Sequence, residues 1–347
     1  MSRPLPPQLP RIPLSVLDIA PVERGRTATR SLTTVKELAR RADELDFRRF
    51  WVGEHHDTPG VASASPAVLL AALGSTTERI RIGSGGVMLP NHAPLVVAES
   101  FGTLGALFPG RVDLGVGRAS ATGPAVGTAL RRGSADADAF GDDLSDLVRF
   151  VTGTFPEEHP YARLTAMPVP SVPAEIWVLG SSVGSAVLAA ERGLPYAFAQ
   201  HFFGARGAAE ALHAYRSAFR PSALLGAPYA VLTVHTVCGE DDEHAARLAA
   251  PAVASALQIG GLARHDPLPS PEDAAAFDWP EKERAYAATL LAEQAVGGPD
   301  TVRRRLAELL GTTAADELMV TNNVTESKEK LRSLERVREL FEPVPAG

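Results

Sequence analysis

Four short stretches of the chain gather residue types that can do chemistry. Gly83-Ser84-Gly85-Gly86 ends an alternating run, Arg79-Ile80-Arg81-Ile82, and carries no side chain larger than a hydroxymethyl. A strand end so stripped lets a flat molecule lie directly on the backbone. The same residues would equally serve a tight turn with close strand packing. Glu54-His55-His56-Asp57 follows a second run, Arg49 to Gly53. One imidazole there is a candidate general acid or base, because its pKa lies near neutral, unless it is a structural histidine capping a loop. Successive side chains of extended backbone point opposite ways, so His55 and His56 are not expected to share an ion, and no metal is expected. Gly180-Ser181-Ser182, with Ser185 one turn on, opens an Ala-rich helical stretch. The N–H groups of a helix start attract an anion such as phosphate, although the serines could be N-caps and nothing more. Arg118, just past the run Val112 to Val116, adds a fixed cation suited to phosphate. The pattern is neither a P-loop nor a dinucleotide fingerprint, since the required Gly and Lys positions are missing.

Composition narrows the partners. A net charge of −7 argues against nucleic acid, which needs a concentrated basic face. The single Cys238 excludes an internal disulfide and a cysteine metal cluster. No stretch approaches the roughly 18 apolar residues of a membrane span. The Pro-rich start, Met1 to Pro13, lacks the apolar core of a signal peptide, so a cytoplasmic protein is expected. No Gly-x-Ser-x-Gly stands with an obvious triad, and the acidic pairs sit in surface-like settings.

Those stretches need a frame to hold them together. Strand-like segments are predicted at Pro13–Ile19, Arg49–Gly53, Ile80–Ser84, Val112–Val116, Glu175–Leu179, Tyr196–Ala199, Tyr229–Val237 and Leu318–Thr321. Helical spacing separates them; Leu32, Val35, Leu38, Ala39, Ala42 and Leu45 form one such stripe, with Thr33 or Ser31 as its cap. Repeated βα units imply a parallel sheet covered by helices. Eight of them point to an α/β fold, a single (β/α)₈ barrel over 1–347, with a doubly wound open sheet as the alternative. Two excursions interrupt the barrel, near 155–173, where a short hairpin is expected, and near 262–280, which is loop-like and could act as a lid. In a barrel the working residues lie on the loops after the strands, and all four stretches fall there.

The motifs Trp51-Val52-Gly53-Glu54-His55-His56, Gly83 to Pro94 and Pro109 to Arg118 resemble the bacterial luciferase-like family of flavin-dependent monooxygenases. The likeness runs on through Gly180-Ser181-Ser182, Gly193-Leu194-Pro195, Val296-Gly297-Gly298-Pro299 and Asp316 to Val320, nearly the whole chain. The resemblance implies a (β/α)₈ barrel, FMN as cofactor and a homodimer. Gly85, Gly86, Val87 and Met88 would lie under the flavin ring, where the family often has a non-proline cis peptide. Arg118, Gly180, Ser181, Ser182 and Ser185 fall at phosphate-contacting positions, and His55 matches the catalytic histidine. Reduced FMN would come from a separate reductase, because no nicotinamide-binding fingerprint is present, and would react with O₂ on a small-molecule substrate. Users of the deazaflavin F420 share the barrel, so F420-dependent hydride transfer is one alternative, and a flavin-binding protein without turnover is another. The chain departs from its relatives at Ala119-Ser120-Ala121-Thr122-Gly123 after the arginine, at Asp57 where Asn is common, and at Gly117 in place of a reactive cysteine. The last weighs against light emission.

Overall fold

The computed structural model describes residues 8–118, 124–130, 139–202, 207–259 and 266–342. Among these residues nine parallel strands are present: β1 Leu14–Asp18, β2 Arg49–Val52, β3 Arg81–Met88, β4 Val112–Gly117, β5 Glu175–Gly180, β6 Tyr196–Ala199, β7 Ala230–Cys238, β8 Ala295–Gly297 and β9 Glu317–Thr321. The ring runs β1-β2-β3-β4-β5-β6-β7-β9 and closes where Leu14 pairs with Leu318 and Val16 with Val320. β8 hangs on β7 outside the ring, with Thr236 opposite Ala295. The expected (β/α)₈ barrel is therefore the fold, and the open-sheet alternative falls with its closure.

Helices alternate with the strands: α1 Ala28–Glu44, α2 Pro66–Gly74, α3 Pro94–Leu107, α4 Pro124–Ala129, α5 Phe140–Thr152, α6 Val183–Glu191, α7 Ala208–Ala218, α8 Asp242–Ile259, α9 Pro271–Ala275, α10 Glu281–Ala292, α11 Pro299–Thr313 and α12 Ser327–Leu340. Among the described residues no helix is long and apolar enough to cross a membrane.

Strand periodicity sorts the core into two layers. Val16, Phe50, Ile82, Leu114, Val178 and Leu232 face the helices, while Leu17, Trp51, Trp177, Ala197, Val231 and Met319 fill the barrel. With both faces buried, the strands read as nearly continuous apolar runs. Trp51 and Trp177 meet edge to face with ring centroids 5.3 Å apart. Beneath them the N-terminal end of the barrel is sealed by charge. The Arg49 guanidinium lies 4.4 Å from the centre of the Trp177 ring and donates to Asp113 at 2.9 Å and to Glu317 at 3.1 Å. Trp51 Nε1 also donates to Asp113, and the Tyr229 hydroxyl to Glu317. Burial opposes the Arg49 charge, but Asp113, Glu317 and Glu175 raise its pKa above the ordinary arginine value.

Local expectations need four corrections. The α1 cap is Thr27, whose Oγ1 accepts the Arg30 N–H at 3.3 Å. Nothing between Thr27 and Leu32 breaks a helix, so it starts a turn early, and Ser31 and Thr33 donate instead to the carbonyls of Pro21 and Thr29. The 155–173 excursion forms turns rather than a hairpin; Pro168, Pro170 and Pro173 supply no N–H for a ladder. It packs on α3, where a Cβ on Gly102 would come 2.5 Å from the Pro168 carbonyl oxygen. Within 262–280 the residues from 266 onward include α9, capped by Ser270. β8, inside the Val296-Gly297-Gly298 motif, was not expected as a strand.

Candidate active site

The mouth of the barrel, at the C-terminal strand ends, is where the four stretches meet. β3 runs past its expected end, through Gly85 and Gly86 to Met88. Gly85 pairs with Gly115 and Val87 with Val116, so Gly86 is an extra residue in the ladder. The Gly85–Gly86 peptide is cis. A Cβ on Gly115 would stand 2.2 Å from the Ser84 oxygen, one on Gly85 2.6 Å from Leu17 Cδ1, and one on Gly86 2.9 Å from the Gly115 oxygen. Close packing thus accounts for the glycines. Gly85, Gly86 and Met88 nevertheless keep partial exposure while Val87 is buried, so the strand end also offers bare backbone to the mouth.

The two neighbouring histidines diverge. His55 is held by its N–H on the Ser63 carbonyl at 3.0 Å, and the Ser63 hydroxyl donates to the Gly53 carbonyl. Its ring folds over Gly53, where a Cβ would lie 3.2 Å from both His55 Cε1 and Ile19 Cγ2. That sets His55 at the mouth beside the end of β1. His56 turns toward Glu54 instead, at 2.7 Å, and Glu54 also receives His92 at 2.7 Å and the Met88 N–H at 3.0 Å. Asp57 has φ of 51°, a left-handed backbone that Asn and Asp adopt more readily than other side-chain-bearing residues, which explains why either can stand there.

Two further histidines reach the mouth, and sequence reading missed both. His235 lies on β7 in step with the inward-facing Val231, and His201 follows β6. Burial lowers the His201 pKa to about 3, helped by His235 and His55, and burial with nearby Lys330 lowers His235 to about 4. Gln294 braces both strands, accepting from His235 N–H at 3.1 Å and donating to the Gln200 carbonyl at 3.0 Å. Asp18 at the end of β1 pairs with buried Lys330 of α12 at 2.5 Å. These partners come from remote segments, so no local spacing announced them.

On the other side, Gly117 pairs with Leu179, so exposed Arg118 leaves β4 next to Gly180. Ser182 and Ser185 form a reciprocal cap at the start of α6, and Ser185 Oγ lies 2.9 Å from the Tyr196 hydroxyl. Gly180 has a packing reason too, since its Cβ would come 2.1 Å from Ser185 Oγ. Ser181 and Ser182 remain exposed. The departure at Ala119 to Gly123 lies outside the described residues.

The sequence profile of the family described as luciferase-like monooxygenase matches residues 13–317. The chain belongs to that family. This luciferase-like monooxygenase is 39% identical to the uncharacterized protein YvbT of Bacillus subtilis (strain 168), over 94% of this chain and 96% of that protein. It is 38% identical to the luciferase-like monooxygenase of Escherichia coli (strain K12), over 95% of this chain and 97% of that one. Among solved structures, apo-MsnO8 superposes with a TM-score of 0.83 at 36% identity, covering 96% of this chain and 100% of its own. The oxygenating constituent of 3,6-diketocamphane monooxygenase in complex with FMN, at 20% identity, and an F420-dependent secondary alcohol dehydrogenase, at 15%, share the fold alone. Their TM-scores are 0.69 and 0.68, each over at least 95% of both chains. Family membership makes this chain a flavin-dependent monooxygenase in class; cofactor and substrate are separate questions.

Proposed function

We propose that the protein binds reduced FMN at the barrel mouth and uses it with O₂ to oxygenate a small organic molecule. The observation that carries this reading is the adjacency along β3, β4 and β5. A bare, partly exposed strand end lies one strand from Arg118, which itself borders the Ser181-Ser182 start of α6. A flat ring and a single phosphate would be held side by side. Gly85, Gly86, Val87 and Met88 would support the ring, and Arg118, Gly180, Ser181, Ser182 and Ser185 the phosphate. Bound there, the reduced flavin supplies the electrons that activate O₂. His55 gives or takes a proton at an imidazole nitrogen.

The described part of the 262–280 excursion, from 266 onward, is suited to shielding this site. Leu268 donates its N–H to the Val22 carbonyl at 2.8 Å and accepts from Arg24 at 2.7 Å, so the segment ties onto the loop that leaves the end of β1. A separate reductase would deliver the reduced flavin. A homodimer is favoured by the large apolar side chains exposed on α2, α3 and the excursion that packs on α3: Val68, Val96, Leu107, Leu164, Met167 and Val169.

One arginine with three serines suits the terminal phosphate of FMN better than the acidic tail of F420, which is why hydride transfer from F420 stands second. Equilibrium dialysis should find reduced FMN bound more tightly than F420, and the reverse order would reject the assignment. Oxygen uptake with photoreduced FMN and the purified protein then separates an enzyme from a binding protein.

A further inference from the structure

Glu54 touches none of the proposed phosphate contacts, yet it stands at the junction of three segments of the mouth and is only 3% exposed. Its Oε2 accepts the Met88 N–H at 3.0 Å. Its Oε1 receives Nε2 of His56 and Nε2 of His92, each at 2.7 Å. His92 is itself fixed by its N–H on the Leu89 carbonyl at 3.0 Å, at the end of the 3-10 turn Leu89–Asn91. A carboxylate buried without donors would be costly; here three donors from the β2 loop, β3 and the 3-10 turn converge on it. Burial works to raise its pKa, but the hydrogen bonds from His92, His56 and Met88 hold it below the ordinary glutamate value.

We infer that Glu54 is a positioning residue whose carboxylate fixes the Val87-Met88 backbone on which the flavin ring would rest. The inference rests on the FMN reading. A ring that meets a preset surface loses less on binding than one that must order a loose strand end. The ligand atoms of Glu54, His56 and His92 all lie within 4.8 Å of one another, close enough to invite a divalent cation. Both 2.7 Å contacts, however, have the length of an N–H donating to a carboxylate, and with Met88 they occupy both oxygens. The geometry is that of a clamp.

The test compares wild type, Glu54→Ala and Glu54→Gln. Without any flavin, amide hydrogen exchange over 85–92 should quicken in Glu54→Ala while the remaining strands keep their protection. FMN and riboflavin affinities should fall together, by about tenfold, because the ring and not the phosphate loses its support. The visible circular dichroism of the bound flavin should change with them. Glu54→Gln, which keeps an acceptor for Met88, should recover part of each effect. Unchanged exchange over 85–92, or a loss for FMN that spares riboflavin, overturns the clamp. If wild type binds neither flavin the FMN reading fails, and the exchange result still decides the role of Glu54. Should Glu54→Ala not fold, His92→Asn removes one brace, and the same quickening is expected there. Zn(II) that slows exchange in wild type but not in His92→Ala would reassign the three groups to a metal and reject the clamp.

Discussion

At the residue scale, Arg118 and His55 make separable predictions. Arg118→Ala removes a charge-assisted contact, typically about 1.5–3 kcal/mol, so FMN affinity should fall roughly ten- to a hundredfold. Riboflavin, which lacks the phosphate, should bind weakly to both forms. Flavin fluorescence titrations measure both, and an unaltered FMN affinity would give the arginine another task, such as holding its loop. His55→Asn keeps a hydrogen-bonding side chain but removes the titratable proton. FMN should still bind, while oxygen uptake with reduced FMN changes in rate and loses its pH dependence; identical profiles would make His55 structural. His201 and His235 speak instead to stability. Their folded pKa values, about 3 and about 4, lie below the ordinary 6.5 of histidine. The unfolded chain therefore binds protons that the folded chain refuses. The contribution is fully present above pH 6.5 and is lost as pH falls toward those values, with a slope of at most about 1.4 kcal/mol per pH unit for each group. Urea melts between pH 7 and 4 should show this acid limb, and His201→Gln should flatten it.

Strands were far more legible than what joins their ends. Most ring strands were visible as short, largely apolar runs, as burial on both faces favours, and β3 as an alternating run that ends in glycines. The bare end of β3 and the serines of α6 could be read as well, since single-residue chemistry marks them. Glu54 with His92, His235 with Gln294, and Asp18 with Lys330 could not, because each pair joins segments far apart in sequence and leaves no periodic trace. The charged floor was equally hidden: Arg49, Asp113 and Glu317 sit at the starts of three separate strands. That floor carries its own prediction. Arg49→Ala leaves the carboxylates of Asp113 and Glu317 buried without their shared cation, a loss of about 3–5 kcal/mol by analogy with other broken buried pairs. Urea denaturation should show that drop even though Arg49 lies at the opposite end of the barrel from His55. A change under 1 kcal/mol would mean that water or Arg81 takes over the role.

For the molecule as a whole, the exposed apolar side chains on α2, α3 and the excursion predict association. Sedimentation should give twice the 36.6 kDa chain mass, and Val169→Asp with Leu107→Glu should shift the protein toward monomer. A wild-type monomer at all concentrations would leave those side chains without that partner. The seam of the barrel has a consequence of a different kind. β1 finds its second neighbour only in β9, and the Ser15 hydroxyl reaches Glu317 across 302 positions of the chain. During synthesis the first strand emerges long before the one that completes it. Until then β1 and β7 present open edges, the surfaces on which growing chains pair with one another. A chain halted before Glu317 should therefore collect in inclusion bodies, and its yield should depend on chaperones more than that of any truncation placed after α12.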